Sequence, residues 1–460
     1  MRAALIRRGL AAVCIGLWFG AAAADTVKLT VAEARVVAQR ALLSGDAALA
    51  VALARKLLEA DARDPFALLI LAAAEPKLGD PLAGLRAGRA AWGAAAPVPL
   101  LRYEIARNTA LASLQSGRPL SAAFWLRRAV EIARSPEERA QSLGDLATLR
   151  QRIRLHYAID VSVTPSSNLN GGATGGFLII DNALTVGPIS RSGQALAGEI
   201  ATEQVSLSYD LTQSARTATH LGFQLYATQN RLSPAARRDV QDLKGPDLNQ
   251  TTSKISFGTD FLLHAVDRVP GNLTFALGQS SVGAASPDPY ASFSLTLPVA
   301  STDRASLSAN VTLERHWHPQ DQLDAVSAGL AKTVVLSGGG QLGLGLTASR
   351  IRGHFNNQDY DGLNAYASLA PTWTLGSLRF SGQLSVGVVR YDPYYLIGNI
   401  QVTHGRTDRS ATLSLVSTLT KVQLAGYAPT IGLNLGRKWS NISRYTTQDV
   451  SVTFGYRSLF

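Results

Sequence analysis

From His156 onward, apolar side chains recur on every second position, and no other feature narrows the possible folds of this chain so far. Tyr157, Ile159, Val161 and Val163 alternate with Ala158, Asp160 and Ser162. Leu221, Phe223, Leu225 and Ala227 alternate with Gly222, Gln224, Tyr226 and Thr228. Ile255, Phe257 and Phe261 lie on the parity opposite Lys254, Ser256 and Asp260, and Leu307, Val311 and Leu313 lie opposite Ser308, Thr312 and Glu314. Leu384, Val386 and Val388 likewise oppose Gln383 and Ser385, and Val450, Val452, Phe454, Tyr456 and Phe460 oppose Ser451, Thr453, Gly455 and Arg457. A strand points successive side chains to opposite faces, so each segment has one aliphatic and one polar face. Charges on the polar face are incompatible with the dry interior of a sandwich but suit a wet lumen. The pattern predicts a transmembrane β-barrel with its aliphatic face toward lipid.

Fourteen candidate strands begin near residues 156, 200, 218, 252, 272, 290, 304, 325, 340, 362, 377, 409, 428 and 447. An even number returns both barrel ends to one side. Connection lengths follow the same parity: 336–340 and 375–377 are short, whereas 164–199, 230–251, 352–361 and 391–408 are long and fall on the opposite side.

Upstream, from Thr30 to Arg154, the chain is rich in Ala, Leu and Arg, and its apolar residues follow helical spacing. Gly45-Asp46 recurs as Gly79-Asp80, and Gly117 follows; Ala38, Ala72 and Ala110 each precede these glycines by the same interval. Small residues at Ala50, Gly84, Ala122 and Ala129 follow them. Small residues where paired helices cross, with Gly at the inter-helix turn, define the tetratricopeptide period. Three such units, with turns at Asp64-Pro65 and Ser135-Pro136, are enough for a continuous core and offer a groove to an extended or helical peptide. Arg86, Arg89, Arg127 and Arg128 are the charged candidates for that groove.

The first 24 residues carry Arg2, Arg7 and Arg8, an apolar run from Gly9 to Phe19, and Ala22-Ala23-Ala24 before Asp25. This order predicts a secretory signal cleaved after Ala24. Its removal takes the single Cys, Cys14, and lowers the formal charge from +11 to +8. A chain without Cys has no disulfide, thiolate metal site or thiol nucleophile. The positive balance of an exported chain points to lipid head groups or an acidic cargo rather than nucleic acid. The expected organisation is α+β and multidomain: signal 1–24, a periplasmic helical domain 25–155, and an outer-membrane barrel 156–460 of fourteen antiparallel strands.

At the end of the first predicted strand stands Pro165-Ser166-Ser167-Asn168-Leu169-Asn170. This element resembles the Pro-x-Ser-Asn-apolar-Asn element of the surface lipoprotein assembly modulator (Slam) family, whose members join a periplasmic tetratricopeptide domain to a 14-stranded barrel (type XI secretion). The resemblance implies a translocon that carries a lipoprotein or soluble cargo protein across the outer membrane of a Gram-negative bacterium, with Pro165, Ser167, Asn168 and Asn170 as candidate cargo contacts. The residues alone allow Asn168 and Asn170 to be plain turn-formers. Phe454, Tyr456 and Phe460 resemble the signal read by the barrel-assembly machinery, although Ser458 stands where an apolar residue is usual.

Nothing in the sequence reads as an enzyme, and no cofactor is expected. His316 and His318 share a strand face but have no carboxylate pair at ligand spacing, so they read as a loop-rim pair. Gly338-Gly339-Gly340 lacks the Lys and the following helix of a phosphate loop and reads as a hairpin turn. Asp160, Asp260 and Glu314 read as ordinary lumen polarity. Two other functions fit the same architecture: an exopolysaccharide export pore, which would carry a longer repeat array, and a passive porin, which has no use for a peptide groove.

Overall fold

The computed structural model describes residues 29–95, 99–181, 183–263, 266–318, 321–396, 400–422 and 427–458. The predicted signal and Phe460 lie outside them. The chain falls into two compact units, one through Ser116 and one from Gly117 onward.

In the first unit, α1 (Val31–Ser44), α2 (Ala47–Ala60), α3 (Pro65–Ala74), α4 (Pro81–Ala94) and α5 (Pro99–Gln115) follow one another. Each packs on the next, and α3 also packs on both α1 and α5, the contact pattern of a helix-pair stack. The turn glycines do what the repeat spacing predicts. Gly45 and Gly79 are left-handed, at φ 90° and 89°, a conformation that is strained for any residue with a Cβ. Asp46 and Asp80 then cap the next helices by accepting from Leu49 N and Ala83 N, each such cap contributing about 1 kcal/mol. Ala38, Ala50, Ala72 and Ala110 are buried where helices cross. At Gly84 a Cβ would lie 2.7 Å from the Pro76 ring, so only Gly permits that approach.

In the second unit, α6 (Pro119–Ile132) and α7 (Pro136–Arg150) form a helical hairpin ahead of the barrel. The helix-to-strand switch thus comes at Leu155, whereas the compact units divide at Ser116/Gly117. The barrel strands are β1 (Leu155–Ser166), β2 (Gly198–Gln213), β3 (Thr217–Leu232), β4 (Gln250–Leu263), β5 (Val266–Val282), β6 (Asp288–Ser301), β7 (Ala305–His318), β8 (Asp321–Val335), β9 (Gln341–Gly353), β10 (Tyr360–Ala370), β11 (Leu378–Tyr391), β12 (Arg406–Leu419), β13 (Tyr427–Ser440) and β14 (Thr447–Ser458). Each pairs antiparallel with its neighbour in sequence, and β1 pairs with β14, which closes the ring. Fourteen strands is the predicted number. Only the fifth begins markedly early, at Val266 rather than 272, because Asp267, Pro270 and Gly271 interrupt the alternation that would have marked it. The loops also hold elements that went unseen, among them a hairpin over 177–188 and the short helix α8 (Pro234–Asp239).

Facing follows the predicted parity. Ile255, Phe257, Leu277, Leu384 and Phe454 point outward and stay about half exposed. Ser, Thr, Gly and Asn line the interior, as with Ser294 and Thr312, whose hydroxyls bond at 3.1 Å. Trp317 and Trp439 stand near one end of the outward face, and Trp373, Phe380 and Tyr209 near the other. Aromatic residues at both margins of an apolar band identify the face that meets a bilayer. The proximal end, where α7 leads in, has the tight turns, including 336–340 with Gly339 at φ 80°. The distal end has the long connections, 167–197, 233–249 and 392–405.

The seam between β1 and β14 is unlike the other junctions. β1 pairs with β2 along all twelve of its residues, Leu155 to Ser166. Toward β14 it pairs only at Val161, Ser162, Val163 and Ser166 among the described residues. Pro165, which has no N–H to donate, lies in the gap.

Candidate functional site

The site is the distal mouth, and it is organised by the Pro165–Asn170 element. Asp449 of β14 is its anchor: its Oδ1 accepts from Ser166 Oγ at 2.7 Å, from Ser167 Oγ at 3.3 Å and from Asn168 N at 3.1 Å. Ser167 continues the seam, its Oγ accepting from Val450 N and its N donating to Val450 O. Asn168 is 7% exposed. Its amide donates to Gly172 O and Gln448 O and accepts from Gly172 N. Asn170 spans the neck of the loop, donating to Ser192 O and Gln194 O and accepting from Leu196 N. A primary amide suits both positions because it carries donor and acceptor together and can replace a peptide group. Both asparagines hold the first loop, and Asn168 also reaches the seam strand through Gln448 O. Ser167 and Pro165 belong to the same clasp.

Beyond the clasp, the first loop folds onto three other distal connections. Its hairpin meets 441–446: Ile179 N donates to Ser443 Oγ, which donates to Phe177 O, and Asn441 Nδ2 donates to Asp181. Leu178 and Ile180 pack against Tyr394, Val402 and Ile442. On the other side Arg191 pairs with Asp239 at 3.0 Å, and Leu169 joins Leu196, Leu232, Ala236 and Val240. Under the hairpin Arg406 is 8% exposed, with its Nε 3.0 Å from Asp408 and its guanidinium 3.4 Å from the centre of the Tyr445 ring. Tyr391 and Tyr394 complete a cage, and Tyr394 bonds Tyr445 hydroxyl to hydroxyl at 2.6 Å. Burial pushes the Tyr394 phenol above its ordinary range, so it stays neutral. A buried ion pair whose cation also lies on aromatic faces fixes how two loops meet.

The lumen charges form separate local pairs. His156 meets Asp210 at 3.1 Å, Asp260 accepts from Asn272, and His316 sits between Asp288 and Glu314 at 2.6 and 2.8 Å. Tyr290 stacks on His316. Asp160 makes none of these contacts. Asp160, Asp260 and Glu314 are thus divided among distinct strand pairs, and the His318 side chain lies outside the described residues. No group of three or more metal-type ligands occurs among the described residues.

The helical arginines also separate. Arg127 donates to Tyr157 OH at 3.1 Å and lies over its ring, which fastens α6 to β1. Arg128 sits over Phe124 and 4.0 Å from Glu131. Arg86 and Arg89 are exposed on the face of α4 opposite its buried Leu85, Ala87 and Ala91. Phe454 and Tyr456 face outward on β14.

Sequence reasoning missed Asp449, whose partners lie more than 280 residues away. It also missed Arg390, Arg409 and Arg437, although these fall on the aliphatic parity of their strands and so left a visible signal.

No family model matches this chain, and no curated protein sequence matches it. Among solved structures, the type III secretion translocator chaperone SycD of Yersinia enterocolitica aligns at 18% identity, covering 27% of this chain and 88% of that one, with a TM-score of 0.24. A loop-deleted OmpT of Vibrio cholerae aligns at 7% identity over 66% of this chain and 98% of that one, with a TM-score of 0.35. A bacterial polysaccharide outer membrane secretin aligns at 8% identity over 66% and 98%, with a TM-score of 0.34. These scores are low; the nature of the barrel follows from its own strand order and facing.

Proposed function

We propose that the protein is an outer-membrane translocon that moves a cargo protein from the periplasm to the cell surface. The helical unit captures the cargo, and the barrel passes it outward. One observation supports this reading above others: a helix-pair stack of the kind that binds peptide segments is built into the same chain as a closed membrane-type barrel. Tethering a capture module to a pore raises the local concentration of cargo, so modest groove affinity suffices. The small polar lumen adds support, because it offers passing polypeptide few apolar surfaces to stick to.

The test is deletion of residues 29–116, which stops at the boundary of the second unit and spares the Arg127–Tyr157 tie. The shortened protein should still show a heat-modifiable barrel, while one or a few cell-surface proteins lose accessibility to a membrane-impermeant labelling reagent. An assembled barrel with an unchanged surface proteome would sink the reading. Loss of surface polysaccharide alone would transfer the role to sugar export.

A further inference from the structure

The outward face of the barrel is apolar along most of its height, but at the distal rim of one sector it becomes cationic. On β11 the outward series runs Leu384, Val386, Val388, Arg390; on β12 it runs from Leu413 through Ala411 to Arg409; on β13 it runs Leu433, Leu435, Arg437. On β9 it includes Arg350. Each arginine lies within three residues of the distal end of its strand. Arg409 and Arg437 step down the register as the strand ends do, with Tyr391 opposite Arg406 and Ser440 opposite Asp408. The four therefore follow the rim. All four are exposed. Asp361, opposite both Arg350 and Arg390 in register, is bonded to Arg350 at 2.8 Å. Among the described residues no carboxylate is bonded to Arg390, Arg409 or Arg437. Arg437 instead lies over Trp439, 5.3 Å from its centre. Across the seam the outward face of β2 carries Glu199 and Glu203, and the outward arginines Arg231 of β3 and Arg315 of β7 stand opposite Glu199 and Asp324 in register, so the run of rim arginines on adjacent strands is that of β11, β12 and β13.

Depth decides what such a sector meets. An outward Arg costs about 2–4 kcal/mol at the bilayer midplane and about 0–1 kcal/mol near an interface, so a rim of arginines belongs at head-group level. Planar guanidinium groups bind phosphate oxygens in pairs, and a row of them with no carboxylate bonded to it favours a ligand with more than one phosphate. We infer that the Arg390–Arg409–Arg437 sector is a binding surface for the phosphorylated sugar head group of an outer-leaflet glycolipid. The apolar side chains below would receive its acyl chains. This rests on the distal end facing outward.

The full chain, purified in neutral detergent, would be mixed with bis-phosphorylated lipid A, dephosphorylated lipid A or phosphatidylglycerol at equal mole fraction. Retained lipid would be counted by native mass spectrometry. Wild type should retain bis-phosphorylated lipid A well above the other two. The triple variant Arg390→Gln, Arg409→Gln, Arg437→Gln should retain about tenfold less, while Arg231→Gln, outward on β3, should retain as much as wild type. Heat-modifiability of each variant checks that the barrel is closed. Equal retention by the triple variant, or equal retention of dephosphorylated lipid A, overturns the surface. Preference for phosphatidylglycerol overturns the glycolipid and with it the outward placement of the rim.

Discussion

The helical unit and the barrel use the same apolar residues in opposite ways. In the stack, Ala50, Ala54, Leu57, Ile70 and Leu85 face inward and are nearly inaccessible, while Arg86 and Arg89 face out. In the barrel, Leu384, Phe257 and Phe454 face outward at about half exposure, while Ser, Thr and Asn face in. The stack is held by water on its outside. Along most of its height the barrel keeps lipid-incompatible groups off its outside and its polar groups in the lumen. Inside and outside thus have no fixed chemistry; the solvent on each face assigns it.

The strongest way to break this comparison is a charge on either side of one strand. Leu384→Arg should abolish most barrel assembly, because the position is flanked by apolar neighbours well below the rim and the charge costs about 2–4 kcal/mol. Gln383→Arg, one residue away, should assemble normally, since its side chain enters the lumen. Heat-modifiability of outer-membrane fractions reads both, and equal damage would refute the facing. A smaller effect is expected from Asn168→Leu. It leaves Gly172 N, Gly172 O and Gln448 O without their partner, at about 1–3 kcal/mol for the loss of a buried polar contact. The barrel should still form but lose heat-modifiability at a lower temperature, and an unchanged transition would mean that the clasp does not hold the seam. The smallest effect belongs to the stack: Asp46→Ala removes the cap on α2 and should cost about 1 kcal/mol. Helical signal should melt earlier by circular dichroism while barrel heat-modifiability stays put, and movement of both would show that the units do not melt independently.

The regular parts of both regions were legible because each depends on a period. Strand parity gave the fourteen strands and their facing, and the interval between Gly45, Gly79 and Gly117 gave the inter-helix turns. Local signals also succeeded at Asp64-Pro65 and Ser135-Pro136, where side-chain caps begin α3 and α7. What failed to show was pairing across distance. Asn168 announced a turn but not that Asp449 would share its site, and Arg406 gave no hint of the tyrosines from one strand end and two loops that surround it. Arg127 shows the same limit: a charge on a helix read as a groove contact, yet its partner is Tyr157 on the first strand.

The seam also has a consequence for how the barrel comes together. Every other strand pair joins neighbours in sequence, so its closure spans a single connection, the longest being 167–197. The β1–β14 junction instead brings together residues such as Ser166 and Asp449, 283 positions apart. Loop-closure entropy rises with the logarithm of length, which makes this junction costlier than a tight hairpin by about 3–4 kcal/mol. Contacts of such high sequence separation form late. Until they do, β1 and β14 are two open strand edges, able to accept a foreign strand or each other. Four backbone register pairs are a weak return for that closure, and the hydroxyls and amide gathered around Asp449 make up the difference at the distal end of the seam. The Pro165–Asn170 element then acts as a timing device: it matters least while the hairpins zip and most at the moment the sheet becomes a ring.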